Sequence, residues 1–169
     1  MGVTITFCYC RNGQITLNVS VLMSIYSVTR ASDLDRCLKS LSHQTLPASE
    51  IVIVRDGPVH CSVERCIQTY ESNLPFRHLF FPSNRGLGPA LRDGLEACSF
   101  ELIARVDSDD WSVPERFALQ TEFLKTESEV SVIGGWMREW YQSNGQRSSR
   151  VRTVPLDYRS ICKAAKRRN

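Results

Sequence analysis

Apolar positions along the chain fall into two alternating patterns, and the alternation predicts the elements. Val19-Ser-Val-Leu-Met-Ser-Ile-Tyr26 is apolar almost throughout, as in a strand covered on both faces. Leu34, Cys37, Leu38 and Leu41 then recur at the spacing of one helix face, with Ser32-Asp33 as the expected N-cap and Pro47 as the stop. Glu50-Ile-Val-Ile-Val-Arg-Asp-Gly57 repeats the buried strand and its polar end. Val63, Cys66, Ile67 and Tyr70 mark a second amphipathic helix, and Leu79-Phe-Phe81 a third strand. Asn84-Arg-Gly-Leu-Gly-Pro89 is a glycine-containing turn that puts Pro89 in the first turn of a helix carrying Leu91, Gly94, Leu95 and Cys98. Leu102 to Val106 is the fourth strand. Ser112 and Glu115 have capping-box spacing before a helix presenting Leu119, Phe123 and Leu124. Val130-Ser-Val-Ile133 predicts a fifth strand, with Trp136-Met-Arg-Glu-Trp140 as an antiparallel partner.

Strands alternating with helices imply β-α-β units with right-handed crossovers, hence an α/β fold doubly wound about a mainly parallel sheet. Ligands of such sheets bind outside the carboxyl ends of the strands. That rule gathers Ser24 and Tyr26, Asp56, and Asp107 and Asp109 into one crevice, because they end successive predicted strands. Residues 19–146 are the expected domain. Thr4-Ile-Thr-Phe7 has strand character that Arg11-Asn-Gly-Gln14 interrupts, so 1–18 reads as an appended segment, and 147–169 as a basic C-terminal one.

The chemistry concentrates in Arg105-Val-Asp-Ser-Asp-Asp-Trp111, where an apolar strand runs into three carboxylates within four positions. Such charges repel unless a cation or solvent screens them. Two readings follow: a solvated turn with an N-cap aspartate, or a site for Mg²⁺ or Mn²⁺, hard cations held by carboxylates together with substrate phosphates. The other crevice groups carry similar pairs of readings. Tyr26 can stack a flat ring or pack half-buried; Asp56 can accept from the imide N–H of a base, or serve ordinary Asp-Gly turn chemistry. Asn84-x-Gly86 can bring backbone close to a phosphate or simply open a helix, and it matches neither a Walker loop nor a dinucleotide fingerprint. His43, His60 and His78 have no ligand spacing, and Trp111, Trp136 and Trp140 read as core or rim aromatics rather than a substrate platform.

Composition changes this picture only at the edges. At 169 residues, with 42% hydrophobic and 23% charged positions, the chain suits one globular domain. It shows no apolar run of membrane-spanning length and no leader pattern, so the cytosol is the expected location. Seven cysteines without paired spacing read as reduced thiols. The net charge of +3 divides unevenly: residues 147–169 carry eight Lys/Arg against Asp157 alone, a balance of +7 against −4 for the rest. Such a segment can meet anionic lipid or nucleic acid, or be a solvated helix face. The acid cluster at the strand ends argues against nucleic acid as the main partner.

The strand Val19–Tyr26, the strand-turn Glu50–Gly57, the Asn84-x-Gly86-x-Gly88 turn, and Asp107-Ser-Asp-Asp110 followed by Pro114-Glu-Arg-Phe117 together resemble the family-two inverting glycosyltransferases, in particular those of bacterial exopolysaccharide biosynthesis. The resemblance implies the A-type glycosyltransferase fold, a nucleotide-diphospho-sugar donor (UDP-sugar foremost) and a Mg²⁺ or Mn²⁺ cofactor. It implies that Ser24, Tyr26, Asp56, Asn84, Gly86 and Asp107 surround the donor nucleotide. Asp107 and Asp109 match the two acids of the family's D-x-D motif, with Asp109 the direct metal ligand. The implied acceptor is a glycan or lipid-linked saccharide, reached in the cytoplasm or at the inner face of the membrane, where the basic segment would make a peripheral contact. Arg55 stands where the family often has a second acid. The family's catalytic base, an Asp or Glu on a later helix, has no match here: Glu139 and Asp157 lie in other contexts, so it is expected beyond residue 169. A C-terminally incomplete chain, or a donor-binding fragment without catalysis, is the alternative expectation.

Overall fold

The structure is a computed structural model and describes residues 18–127, 129–143 and 146–165. Strand β1 (Val19–Ile25), helix α1 (Ala31–Ser42), β2 (Glu50–Asp56), α2 (Cys61–Tyr70), β3 (Phe76–Phe81), α3 (Leu87–Ala97) and β4 (Leu102–Arg105) alternate in order. They are followed by α4 (Arg116–Thr126), β5 (Met137–Ser143), β6 (Gln146–Arg152) and α5 (Tyr158–Ala165). The first four strands form one parallel sheet in the order β3-β2-β1-β4. The order reverses between β1 and its two neighbours, which opens a crevice above their carboxyl ends.

Both faces of the sheet are covered, which explains the unbroken apolar runs. Val21, Met23 and Ile25 of β1 pack with Leu34, Leu38 and Leu41 of α1, Val63 and Ile67 of α2, and Phe117 and Leu124 of α4. Leu22, between them in sequence, points to the opposite layer with Val52, Val54 and Ala90. There α3 lies close to the sheet because Gly94 leaves room: a Cβ at that position would meet the Leu22 side chain and come within 2.7 Å of Val54 Cγ2. At the amino ends of the strands, the buried Glu50 carboxylate accepts from Ser20 Oγ at 2.5 Å and Ser99 Oγ at 3.0 Å, and also from the Ser99 N–H. Burial alone would push this carboxyl up, but those hydrogen bonds and Arg77 outweigh it and hold it below the ordinary value.

Several expectations are corrected. Val130–Ile133 is no strand: Val130 and Ile133 turn inward onto the core while Val132 is exposed, so the run buries two residues three apart without sheet pairing. The antiparallel partner of β5 is therefore β6, with Met137 opposite Arg152 and Ser143 opposite Gln146. The position between 146 and 147, expected to separate domain from tail, falls inside β6. Helix α1 is capped by Arg30, and Asp33 sits in its first turn, where Arg30 Nε donates at 2.6 Å and Arg36 also pairs with it. The capping box is absent too. Helix α4 starts after Glu115, and Ser112 Oγ accepts instead from Arg116 Nη1 at 2.6 Å. Leu119 and Phe123 are exposed, and the core side of α4 is carried by Phe117, Thr121 and Leu124. The expectation for 1–18 lies outside the described residues apart from Asn18. No helix among the described residues is long and apolar enough to cross a membrane, and Cys37, Cys61, Cys66, Cys98 and Cys162 are free thiols.

Candidate active site

Three strand ends and the turn after β3 enclose a cleft of about 390 Å³. From β1 come Ser24 and, just past the strand, Tyr26; from β2 comes Asp56; Asn84 and Gly86 come from the turn entering α3; Asp107 and Asp109 follow β4. All seven residues singled out in the sequence line this cleft.

Tyr26 is held outward by a tight turn in which its N–H donates to Thr29 Oγ1 at 3.0 Å and its carbonyl accepts from the Thr29 N–H at 2.9 Å. Tyr26 is 45% exposed, so a flat partner can reach it. Asp56 is nearly fully buried and organises the wall opposite. Its two carboxylate oxygens accept the backbone N–H groups of Arg85 and Gly86, each at 2.9 Å, while its carbonyl accepts from Asn84 Nδ2 at 3.2 Å. Gly57 is needed for this closure: its φ is +86°, and a Cβ there would stand 2.8 Å from the Asn84 nitrogen. Gly86, at φ +91°, turns the chain into α3. Arg85 is clamped between the Phe81 ring, 3.5 Å below its guanidinium carbon, and Asp93, 2.8 Å from Nη2. Asp93 is held below the ordinary carboxylate value by its hydrogen bonds to Arg85 and Arg92.

The acidic turn is braced from beneath. Arg105 Nη2 lies 2.6 Å from Asp107 Oδ1, and Arg116 Nη2 donates to the Arg105 carbonyl at 2.9 Å. The Asp110 N–H donates to the Asp107 carbonyl at 3.1 Å, and the buried Cys37 thiol reaches the same carbonyl at 3.5 Å. Burial is the largest influence on the Asp107 carboxyl and raises it; Arg105 pulls it down, the neighbouring Asp109 pushes it up, and the net direction is upward. Asp109 itself is exposed at the mouth of the cleft. Arg105 was not assigned a role from the sequence, although a cation two residues before Asp107 in an otherwise apolar strand is the signal that marks it.

These residues fit a divalent cation. Asp107 and Asp109 offer hard oxygen ligands; burial is the main cause that raises Asp107 and repulsion from Asp109 adds to it, a contribution that positive charge between them would relieve. Among the described residues no three His, Cys, Asp or Glu side chains converge to hold an ion by themselves. Further ligands would come from a substrate's phosphates and water, the usual arrangement for Mg²⁺. Of the other acids considered in the sequence, Glu139 is bonded by Arg152 at 2.6 Å and by the Tyr141 hydroxyl at 2.5 Å, and Asp157 accepts from the Ser160 N–H at 2.9 Å in the first turn of α5.

The sequence matches glycosyl transferase family 2 over residues 20–169, nearly the whole of the domain and its tail. The chain belongs to that family. Among its relatives is the amylovoran biosynthesis glycosyltransferase AmsE of Erwinia amylovora, 37% identical over 150 residues, which span 89% of this chain and 55% of the relative. Another is the UDP-Gal:alpha-D-GlcNAc-diphosphoundecaprenol beta-1,3-galactosyltransferase of Escherichia coli, 31% identical over 154 residues, 91% of this chain and 55% of the relative. This family-2 chain thus spans little more than half the length of the curated relatives it matches. Solved structures with the same fold include Staphylococcus aureus TarS 1–349 in complex with UDP, with a TM-score of 0.59 at 21% identity over 82% of this chain and 38% of that one. The mannosyltransferase PcManGT of Pyrobaculum calidifontis, in complex with GDP-Man and Mn²⁺, aligns at a TM-score of 0.53 and 20% identity over 63% of this chain and 31% of that one. The fold is the A-type glycosyltransferase fold.

Proposed function

We propose that this chain supplies the donor site of an inverting glycosyltransferase that moves a sugar from a nucleotide-diphospho-sugar to a glycan or lipid-linked acceptor in cell-surface polysaccharide synthesis. The observation that carries the reading is the convergence of Ser24, Tyr26, Asp56, Asn84, Gly86, Asp107 and Asp109, from four separate stretches of sequence, on one cleft. Tyr26 and Ser24 flank the nucleoside base on one side. Asp56 shapes the opposite wall by fixing the turn at 84–86, whose backbone approaches the diphosphate. Arg105 holds Asp107 in place, and Asp107 and Asp109 bind Mg²⁺ or Mn²⁺. A cation there offsets charge on the departing nucleoside diphosphate. UDP is the preferred nucleotide of this reading, supported by the UDP complex of the similarly folded TarS and by the UDP-Gal donor named for the Escherichia coli relative. The exposed Leu156, Tyr158 and Ile161, with Arg159 and Lys163 on the same helix as Tyr158 and Ile161, form a peripheral contact with an anionic membrane surface in the same reading.

Titration calorimetry with UDP, in Mg²⁺ and again with chelator, tests the site. Binding is expected in Mg²⁺ and should be lost on chelation or in Asp109→Asn. UDP binding that is equal in wild type and Asp109→Asn, and indifferent to chelator, would remove the metal assignment.

A further inference from the structure

Among the described residues lining the donor cleft, Arg105 is the one cation. It ends β4 beside Leu22 of β1, and its Nη2 lies 2.6 Å from Asp107 Oδ1. Asp107 is the only partner of its side chain among the described residues. Its Nε is buried and has no hydrogen-bond partner. A guanidinium carries five N–H donors in a planar fork, so most of this one stands unused. A buried donor without an acceptor is costly, and one kept at the wall of a ligand cleft points to an acceptor that arrives with the ligand.

Asp107 cannot serve two cations at once on equal terms. Its Oδ1 already faces the guanidinium, and a divalent ion on the same carboxylate would stand close to that positive charge in a partly dry cleft. A diphosphate removes the conflict, because phosphate oxygens match the guanidinium fork and would take both the donor that Asp107 gives up and those still unused. We infer that Arg105 is a resident counter-cation: it closes Asp107 to a divalent ion while the cleft is empty, and turns to the diphosphate when the nucleotide enters. The inference rests on the donor-site reading and goes beyond it, since it makes metal and nucleotide bind as a coupled pair rather than independently. The competing role is a simple brace, in which Arg105 on Oδ1 orients Asp107 for an ion on Oδ2. The two roles differ in sign. Removing a counter-cation helps the ion alone and harms the nucleotide, whereas removing a brace harms both.

Two binding measurements read those signs. The electron paramagnetic resonance signal of free Mn²⁺ gives the affinity for metal alone, and calorimetry with UDP in saturating Mn²⁺ gives that for the nucleotide. Arg105→Met is expected to bind Mn²⁺ alone about tenfold more tightly than wild type and UDP about tenfold more weakly. Arg105→Lys keeps the charge and loses the fork, so it should hold Mn²⁺ alone at the wild-type affinity and bind UDP between the other two. Mn²⁺ affinity that is unchanged or weaker in Arg105→Met, with UDP binding intact in wild type, overturns the inference and makes Arg105 a brace. Unchanged UDP binding in Arg105→Met overturns it as well, by removing the diphosphate contact. Tighter Mn²⁺ binding in Arg105→Lys also overturns it, and that variant decides the matter if Arg105→Met fails to fold. Wild type that binds no UDP in Mn²⁺ overturns the donor reading itself, and the inference with it.

Discussion

At the scale of residues, two glycines with positive φ do different work and should respond differently to substitution. Gly86 has open space around the position of a Cβ, so Gly86→Ala meets only the backbone preference against its conformation. Gly57→Ala meets the same preference and also the Asn84 backbone nitrogen, 2.8 Å from the new Cβ. Backbone cannot swing aside as a long side chain can, and the turn that Asp56 organises must move. Chemical denaturation should show Gly86→Ala losing about 1–3 kcal/mol and Gly57→Ala losing more. Gly57→Ala should also weaken UDP several-fold. Equal stability losses in the two variants would contradict the steric argument. The sequence identified Asp56 because it ends an apolar strand at a point where this fold binds ligands, and Asn84 and Gly86 as a glycine-containing turn able to bring backbone close to a phosphate. It left hidden that Asp56 spends its carboxylate on the backbone of the turn at 84–86, since that pairing joins positions thirty residues apart and has no local pattern.

Among the elements, those of the sheet and its helices were legible because both faces of β1 and β2 are covered and each helix carries an apolar stripe. The elements after α4 were not. Val130–Ile133 has the alternation of a strand, yet its inward residues are three apart, and tertiary packing overrides the local preference. The sequence does hold a local signal for the β5–β6 pair, since Asn144-Gly145 between two seven-residue runs is a strong short-range hairpin mark. The caps failed for another reason. Ser112 and Asp33 found arginine partners, and a charged donor is a stronger partner than a helix N–H. Glu50 makes an element-level prediction. Its carboxyl is held below the unfolded value, so the stabilisation is present at pH above that ordinary value near 4.5 and is lost as pH falls through the folded one. Glu50→Gln should cost on the order of 1–3 kcal/mol at neutral pH, and the difference from wild type should shrink on acidification below pH 4.5 in pH-dependent urea melts. A difference that stays constant with pH would show that the buried charge is not what fastens β2 to Ser20 and Ser99.

On the scale of the whole molecule, charge is divided between the acidic turn and the C-terminal segment. The acidic turn faces the cleft above the strand ends, while residues 147–169 carry +7. Exposed charges are screened over roughly 8 Å at physiological ionic strength. Flotation with vesicles containing anionic lipid should therefore carry the protein at low salt and release it as salt rises, with neutral vesicles carrying little. Flotation that ignores salt would assign any attachment to Leu156, Tyr158 and Ile161 alone.

The Cys37 thiol, buried under the acidic turn with its sulfur at the Asp107 carbonyl, makes the protein its own reporter of site integrity. Burial, together with the acids of the turn, pushes this thiol far up its titration scale, so it is neither reachable nor ionised while α1 and the turn stay in contact. Exposed Cys61 has no such protection. Under a soluble alkylating reagent, peptide mass spectrometry should find Cys61 modified early and Cys37 only at the rate at which the turn lifts away from the helix. UDP with Mg²⁺, by binding across that turn, should lengthen the Cys37 half-life and leave the Cys61 half-life alone. Labelling kinetics would then measure how often an empty donor cleft comes apart, a quantity that neither calorimetry nor melting curves resolves.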